Sequence, residues 1–299
     1  MSRVYGNLWL DLQDQALLVG DMVESGEYTT GSIKRTKRYR DLLAGAVAAI
    51  LGYQALVLTS ARDLQSDALD RSARDLWKLV VIQDPTADFR RVQRGAFDIM
   101  SDYLAQGSPL WERINGLSGY GADKITEAIL DSIKGGFNAT RTAQAIRKAF
   151  SLPLSDSLRM TRTVTAWSYR EANRLSYMAN PQAVEGWIWY SALEPGRTCM
   201  SCVNLHGTFH PADEVQEDHH NGLCTSIPKV IGVDNPVTET GEEWFKAQGE
   251  QIQKQMMGNG KYEAWLDGNV SIGDMTRPYQ DEVYGEMLRE ATLKELIDA

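Results

Sequence analysis

Histidine and cysteine are scarce in this chain of 299 residues, which has four of the first and three of the second. Three cysteines cannot build a disulfide framework, and two of them in a Cys-x2-Cys suit a reducing compartment and metal ligation. Basic residues are outnumbered, 31 Lys and Arg against 40 Asp and Glu, giving a net charge of -9 and a pI near 5.1. The field of the whole molecule therefore repels nucleic acid, and contact with DNA needs a local basic patch. Internal repeats and low-complexity tracts are lacking. The opening stretch MSRVYGNLWLDLQDQ has no uninterrupted apolar core and no small-residue cleavage site, so no secretory signal is expected.

The scarce residues are not scattered. All seven fall between Cys199 and Cys224, in the order Cys199-x2-Cys202, His206, His210, His219-His220 and Cys224. Thiolates and imidazoles grouped this way form the closed tetrahedral shell of a structural zinc site. The expected ligands are Cys199, Cys202, His219 and Cys224, with His220 as the alternative to His219. His206 and His210 are expected to be turn or surface residues.

Enzymatic zinc readings fail on order. A nucleobase deaminase needs a His-x-Glu ahead of its Pro-Cys-x2-Cys, but no histidine precedes Cys199 and its neighbour is Thr198. The His-Glu-x2-His of a metalloprotease is absent. Asp218-His219-His220-Asn221 faintly resembles a histidine-metal nuclease, which would need a further histidine downstream of His220. A redox Cys-x2-Cys belongs at a helix N-terminus within a βαβ pattern, and no such pattern is legible.

Composition, 43% apolar and 24% charged, is that of a chain able to bury a core. The first 120 residues read as a helical region, with segments around Leu10 to Glu24, Ile33 to Thr59 and Ser66 to Val81. In the last of these, Leu69, Ala73, Leu76 and Val80 fall at helical spacing. Leu42 to Ala61 is an uncharged run of twenty residues. It follows the basic residues Lys34, Arg35, Lys37, Arg38 and Arg40, but its Gln54 and many small residues favour a packed helix over a membrane span. Asp84-Pro85 marks a break, and the glycine-rich loop from Gly107 to Gly121 a boundary.

Residues 121 to 235 read as a second region. Ile125, Ile129 and Ile133 line a helix stopped at Gly135-Gly136. Asn138 or Thr140 caps a second helix that Pro153 ends, and Ser155 or Asp156 opens a third reaching Asn180. Its apolar stripe is Met160, Val164, Trp167, Leu175 and Met178, with Arg159, Arg162, Arg170 and Arg174 on an adjacent face. A strand follows at EGWIWYSAL, and a second at Thr225 to Ile231, so the metal ligands sit on the loop of a small β unit. Residues 236 to 299 read as a tail with a helix from Glu242 to Met257, stopped at Gly258-Asn259-Gly260. The expected class is mainly α with a small α+β zinc-knuckle domain, a helical N-terminal region and a helical C-terminal tail.

The run from Ile125 to Pro228, about a third of the chain, resembles the phage Mu F-like head morphogenesis domain of minor capsid proteins. The residues that carry the resemblance are Lys134-Gly135-Gly136, Arg162-Thr163, Trp187 and Trp189, Arg197-Thr198-Cys199-Met200-Ser201-Cys202, Leu205-His206-Gly207, and His219 to Cys224 with Pro228. There are two departures. Val164 stands where the family has a Glu, and Gly222 stands where it has the first Cys of a Cys-Arg-Cys. The resemblance implies a non-enzymatic virion component, present in a few copies at the portal vertex or head interior and assembled in the bacterial cytoplasm. Its partners would be portal and capsid proteins, with a part in packaging or delivering double-stranded DNA; a membrane is not expected. By their charge alone, Lys34, Arg35, Lys37, Arg38, Arg40, Arg162, Arg170 and Arg174 are candidates for contact with DNA or with a partner surface. The alternative is a toxin or nuclease carried by the same domain as a delivery module.

Overall fold

In the computed structural model of the chain, the described residues are 36–91, 107–109, 111–114, 116 and 139–298. The helices expected from Leu10 to Glu24 and from Ala122 to Gly136, the residues Lys34 and Arg35, and most of the glycine-rich loop lie outside them. Helix makes up about half of the described residues, beside a small antiparallel sheet. The chain forms two compact units, one of Met1–Asp63 with Ser101–Thr161 and the other of Leu64–Met100 with Arg162–Ala299. In the first, Val57, Ala61, Ile114 and Met160 are among the buried residues. The second carries the cysteine and histidine cluster.

Two segments expected as separate helices are one, α1, Lys37–Gln83. No glycine or proline lies between Gly52 and Asp84, so nothing interrupts it. It ends where expected, because a residue before proline is driven out of the helical region. There Asp84 accepts hydrogen bonds from the N–H and hydroxyl of Thr86 (2.8 and 2.7 Å). Among the described residues no helix is long and apolar enough to cross a membrane.

The stop expected at Pro153 does not occur: α2 runs from Ala139 to Met178. The proline removes one donor from the ladder, and the helix continues through it. The stripe is also displaced. Val164 is buried as expected, but Met178 is exposed, and Thr163, Ser168, Arg170, Asn173 and Ser176 are buried instead. These polar residues have partners. The Ser72 hydroxyl of α1 donates to Asn173 Oδ1 (2.7 Å), Asn173 Nδ2 donates to Ser226 Oγ (3.1 Å), and Ser226 Oγ pairs with the Tyr177 hydroxyl (2.9 Å).

The three-stranded sheet has the order β2-β1-β3, with β1 Val184–Tyr190, β2 Phe209–Pro211 and β3 Thr225–Val230, all antiparallel. The two longer strands were legible in the sequence, and β2 was not. Trp187, Ile188 and Trp189 are all buried, so the central strand is covered on both faces. Burying about 200 Å² per tryptophan at about 25 cal/mol/Å² contributes about 5 kcal/mol each before entropic costs. Gly186 is required here, since a Cβ would lie 2.3 Å from the carbonyl of His210 on β2. At the other edge, Gln83 of α1 donates to the carbonyl of Pro228 (2.8 Å) and accepts from the N–H of Val230 (3.4 Å).

The C-terminal tail is not a run of helix. Two short helices, α4 Gly241–Lys246 and α5 Glu250–Met257, broken at Gly249, replace the single one expected; the stop at Gly258 falls where expected, and α6 Asn259–Leu266 follows it. A hairpin follows, β4 Thr276–Asp281 and β5 Gly285–Glu290, then α7 Leu293–Ile297. Mixed charged and apolar residues hid the hairpin, and Pro278 is tolerated because both strands of a two-stranded ladder are edges. The tail packs as a core of Phe245, Met257, Tyr262, Ile272 and Met275 around Met200 and Val203.

Candidate metal centre

Cys199 is the N-cap residue of the short helix α3, Met200–Leu205, and Cys202 lies on its first turn. The Cys-x2-Cys pair thus does stand at a helix start, which the sequence did not indicate. The strands on either side, β1 and β2, are antiparallel, so the helix is not the crossover of a βαβ unit. Helix α3 is held on two faces. Cys202 belongs to the core of Trp187, Trp189 and Val230, whereas Met200 and Val203 belong to the tail core. The N–H of Met200 donates to Glu290 Oε2 of β5 (2.8 Å), and Asn204 Nδ2 donates to Thr276 Oγ1 (2.9 Å). A Cβ at Gly241 would lie 1.9 Å from the Val203 carbonyl, so glycine alone lets α4 start against the end of α3.

Cys199, Cys202, His219 and Cys224 come together. Cys199 Sγ is 3.4 Å from Cys202 Sγ and 3.2 Å from His219 Nε2, and Cys202 Sγ is 3.4 Å from the same nitrogen. Cys224 lies on the far side of Cys202, their sulfurs within 4.8 Å of each other. Bonds of about 2.3 Å to sulfur and about 2.0 Å to nitrogen give tetrahedral edges of about 3.5 to 3.8 Å. The observed separations are within a few tenths of an ångström of such edges. His219 Nδ1 faces the carbonyl of His220 (3.0 Å), which leaves Nε2 toward the sulfurs, the usual orientation of a metal-binding imidazole.

Charge in the cluster is shared through protons. The Cys202 thiol hydrogen-bonds Cys199 and lowers its pKa to about 4 against the effect of burial, with help from His219. It lowers Cys224 in the same way. Cys202 itself is pushed up by its bonds to both neighbours and by burial. Burial opposes charge on His219, yet the Cys199 sulfur and the Asp218 carboxylate raise it to about 10. The pull on Cys199 and Cys224 toward the charged form is thus balanced by the hold on the protons of Cys202 and His219.

The second half of the cluster is anchored by Arg170, expected from the sequence on a charged helix face as a candidate for DNA or partner contact. That reading is overturned: Arg170 is 6% exposed. Its guanidinium donates to the carbonyls of Cys224 and Gly222 (both 2.8 Å) and to Asp218 Oδ2 (2.5 Å). A planar fork with fixed donors is suited to three acceptors at once. Gly222 is needed as well, since a Cβ there would lie 2.0 Å from an Asp218 oxygen. Asn221, at φ +59°, turns the loop and donates its N–H to Thr163 Oγ1 (3.2 Å). Ser191 joins the halves by donating to the Cys202 carbonyl (2.8 Å) and lying 3.1 Å from Cys224 Sγ.

The other predicted residues fall elsewhere. His220 Nε2 pairs with Asp281 on β4 (2.8 Å) and is not turned to the sulfurs. His206 is buried, and its Nδ1 accepts from the Ser191 N–H (3.0 Å), while burial lowers its pKa. It closes α3 as a turn residue but is not on the surface. His210 stacks on Trp187 at 4.2 Å and pairs with Glu214. Arg174 is tied to Glu171 (2.6 Å) and the Asp213 carbonyl. Lys37, Arg40 and Arg162 are exposed, and Arg38 lies in the first turn of α1. Sequence reasoning missed Asp218 as a neighbour of the sulfurs, and also Ser191, Arg170 and Gly222. Only Asp218, adjacent to His219, carried a local signal.

A cleft lined by Arg197, Thr198, Asn221 and Leu223 reaches Cys202, His219 and Cys224, which offers a metal a way in. No family model, curated protein or solved structure matches this chain.

Proposed function

We propose that the chain is a non-enzymatic head morphogenesis or minor capsid protein, whose metal centre holds zinc and serves shape. The carrying observation is convergence. Thr163, Trp189, Cys199, Cys202, His219 and Cys224, drawn from separate motifs of the Mu F-like pattern, belong to one compact unit, and the last four gather as a donor set. Cys199, Cys202 and His219 stand at tetrahedral-edge spacing, and with Cys224 beside Cys202 four protein donors would close a zinc shell. Zinc would tie α3 to the loop before β3 and present a rigid surface to a partner.

In this reading the chain docks on portal or prohead proteins during assembly and stays in the virion. The exposed Lys37, Arg40 and Arg162, with Lys34, Arg35 and Arg38 nearby in sequence, are the candidates for phosphate contact. Two measurements test the proposal. Purified chain is expected to carry near-stoichiometric zinc that Cys199→Ser and Cys224→Ser lose, and it is expected to co-purify with portal protein from assembling particles. A zinc-free native protein, or turnover of a substrate by the isolated chain, would sink it.

A further inference from the structure

Asp218 is 3% exposed, and each of its carboxylate oxygens accepts one hydrogen bond. Oδ2 is taken by Arg170, and Oδ1 accepts the N–H of His219 (2.8 Å). The same Oδ1 lies 3.5 Å from His219 Nε2, the length of a tetrahedral edge between two oxygen or nitrogen ligands. A carboxylate oxygen of Asp218 and the sulfurs of Cys202 and Cys224 all lie within 4.8 Å of one another. Two donor sets therefore share Cys202, one with Cys199 and His219, the other with Asp218 and Cys224. Arg170 neutralises the buried carboxylate and fixes its orientation, so that an Asp218 oxygen is held ready beside the sulfurs of Cys202 and Cys224.

We propose that Asp218 is a fifth donor of the metal centre, exchanging with His219 so that five protein groups serve four coordination positions. This rests on the zinc reading above. Arg170 fixes the carboxylate through Oδ2 and leaves Oδ1 to reach the metal, and Gly222 leaves the space it occupies. Loss of the imidazole then does not open the shell to water, because oxygen from Asp218 completes it. Affinity falls by about tenfold to a hundredfold, the scale of an outer-shell change, instead of collapsing.

The test is titration of cobalt(II) into the full chain, followed through its thiolate charge-transfer and d–d bands. Wild type is expected to bind one cobalt per chain in a tetrahedral site. His219→Ala is expected to do the same with a shifted spectrum that millimolar imidazole leaves unaltered, and adding Asp218→Asn to it is expected to abolish tight binding. Recovery of the wild-type spectrum on adding imidazole to His219→Ala would reveal a vacant position and overturn the proposal. So would a double variant that binds as tightly as His219→Ala alone. His219→Phe, which keeps the ring volume without a donor nitrogen, covers the case in which the alanine variant does not fold. If wild type itself takes up no cobalt or zinc, the metal reading fails; if only the imidazole test goes the wrong way, the fifth donor alone is lost.

Discussion

Cys199 and Cys202 reach the cysteine and histidine cluster from a six-residue helix gripped between two apolar cores, whereas His219 and Cys224 reach it from a loop without regular structure, held by one arginine. The first half is local: three residues of spacing place both sulfurs, and packing does the rest. The second half depends on Arg170, whose three acceptors lie 48, 52 and 54 residues away in sequence. A metal site can thus be half written in its spacing and half in its tertiary contacts.

Removing the arginine should separate the halves most sharply. Arg170→Ala leaves the Asp218 carboxylate buried and unpaired, and the expected loss is about 3–5 kcal/mol in urea denaturation. A loss below about 0.5 kcal/mol, typical of surface positions, would restore Arg170 to a solvated face. Chelation touches both halves at once. With zinc a thousandfold above its Kd, stripping it should cost about 4 kcal/mol of stability, and an unchanged melting curve after chelation would remove the metal from the fold's energetics.

Glycine substitutions compare the halves directly. Gly241→Ala drives a methyl into the Val203 backbone carbonyl beneath α3, and Gly222→Ala drives one into the Asp218 side chain. Overpacking of this kind costs about 1–3 kcal/mol. The larger effect is expected at Gly241, where backbone cannot swing aside, and the loss of metal affinity at Gly222. Equal effects on both readouts would erase the distinction.

The smallest expected effect is one of protons. Cys202 is pushed up and His219 stands at about 10, so both hold protons at neutral pH in the metal-free chain. Ligation needs both groups deprotonated. Uptake should therefore release about two protons, strengthen as pH rises toward the His219 value and weaken as pH falls. Calorimetry in buffers of different ionisation enthalpy reads the number directly, and a value near zero would contradict the proton sharing described above.

What was legible in the sequence follows the same division. The four donors, the strands that flank them and the stop at Asp84-Pro85 are local patterns, and all were read. Arg170 was misread because an arginine beside Arg162 and Arg174 at helical spacing looks like a charged face. Only the loop ending at Cys224, which no periodicity announces, turns it inward. Pro153 misled because a proline costs a helix one hydrogen bond without always ending it. The β4–β5 hairpin was hidden because its strands are half-exposed and carry charges on both faces.

Gln83 spends its amide on the outermost strand, covering the Pro228 carbonyl and the Val230 N–H. With that border sealed, an incoming chain cannot extend the sheet there by adding a ladder of its own. The opposite border, Phe209–Pro211, is three residues long and ends in a residue that cannot donate. Growth of one copy onto another through this three-stranded sheet is thereby discouraged.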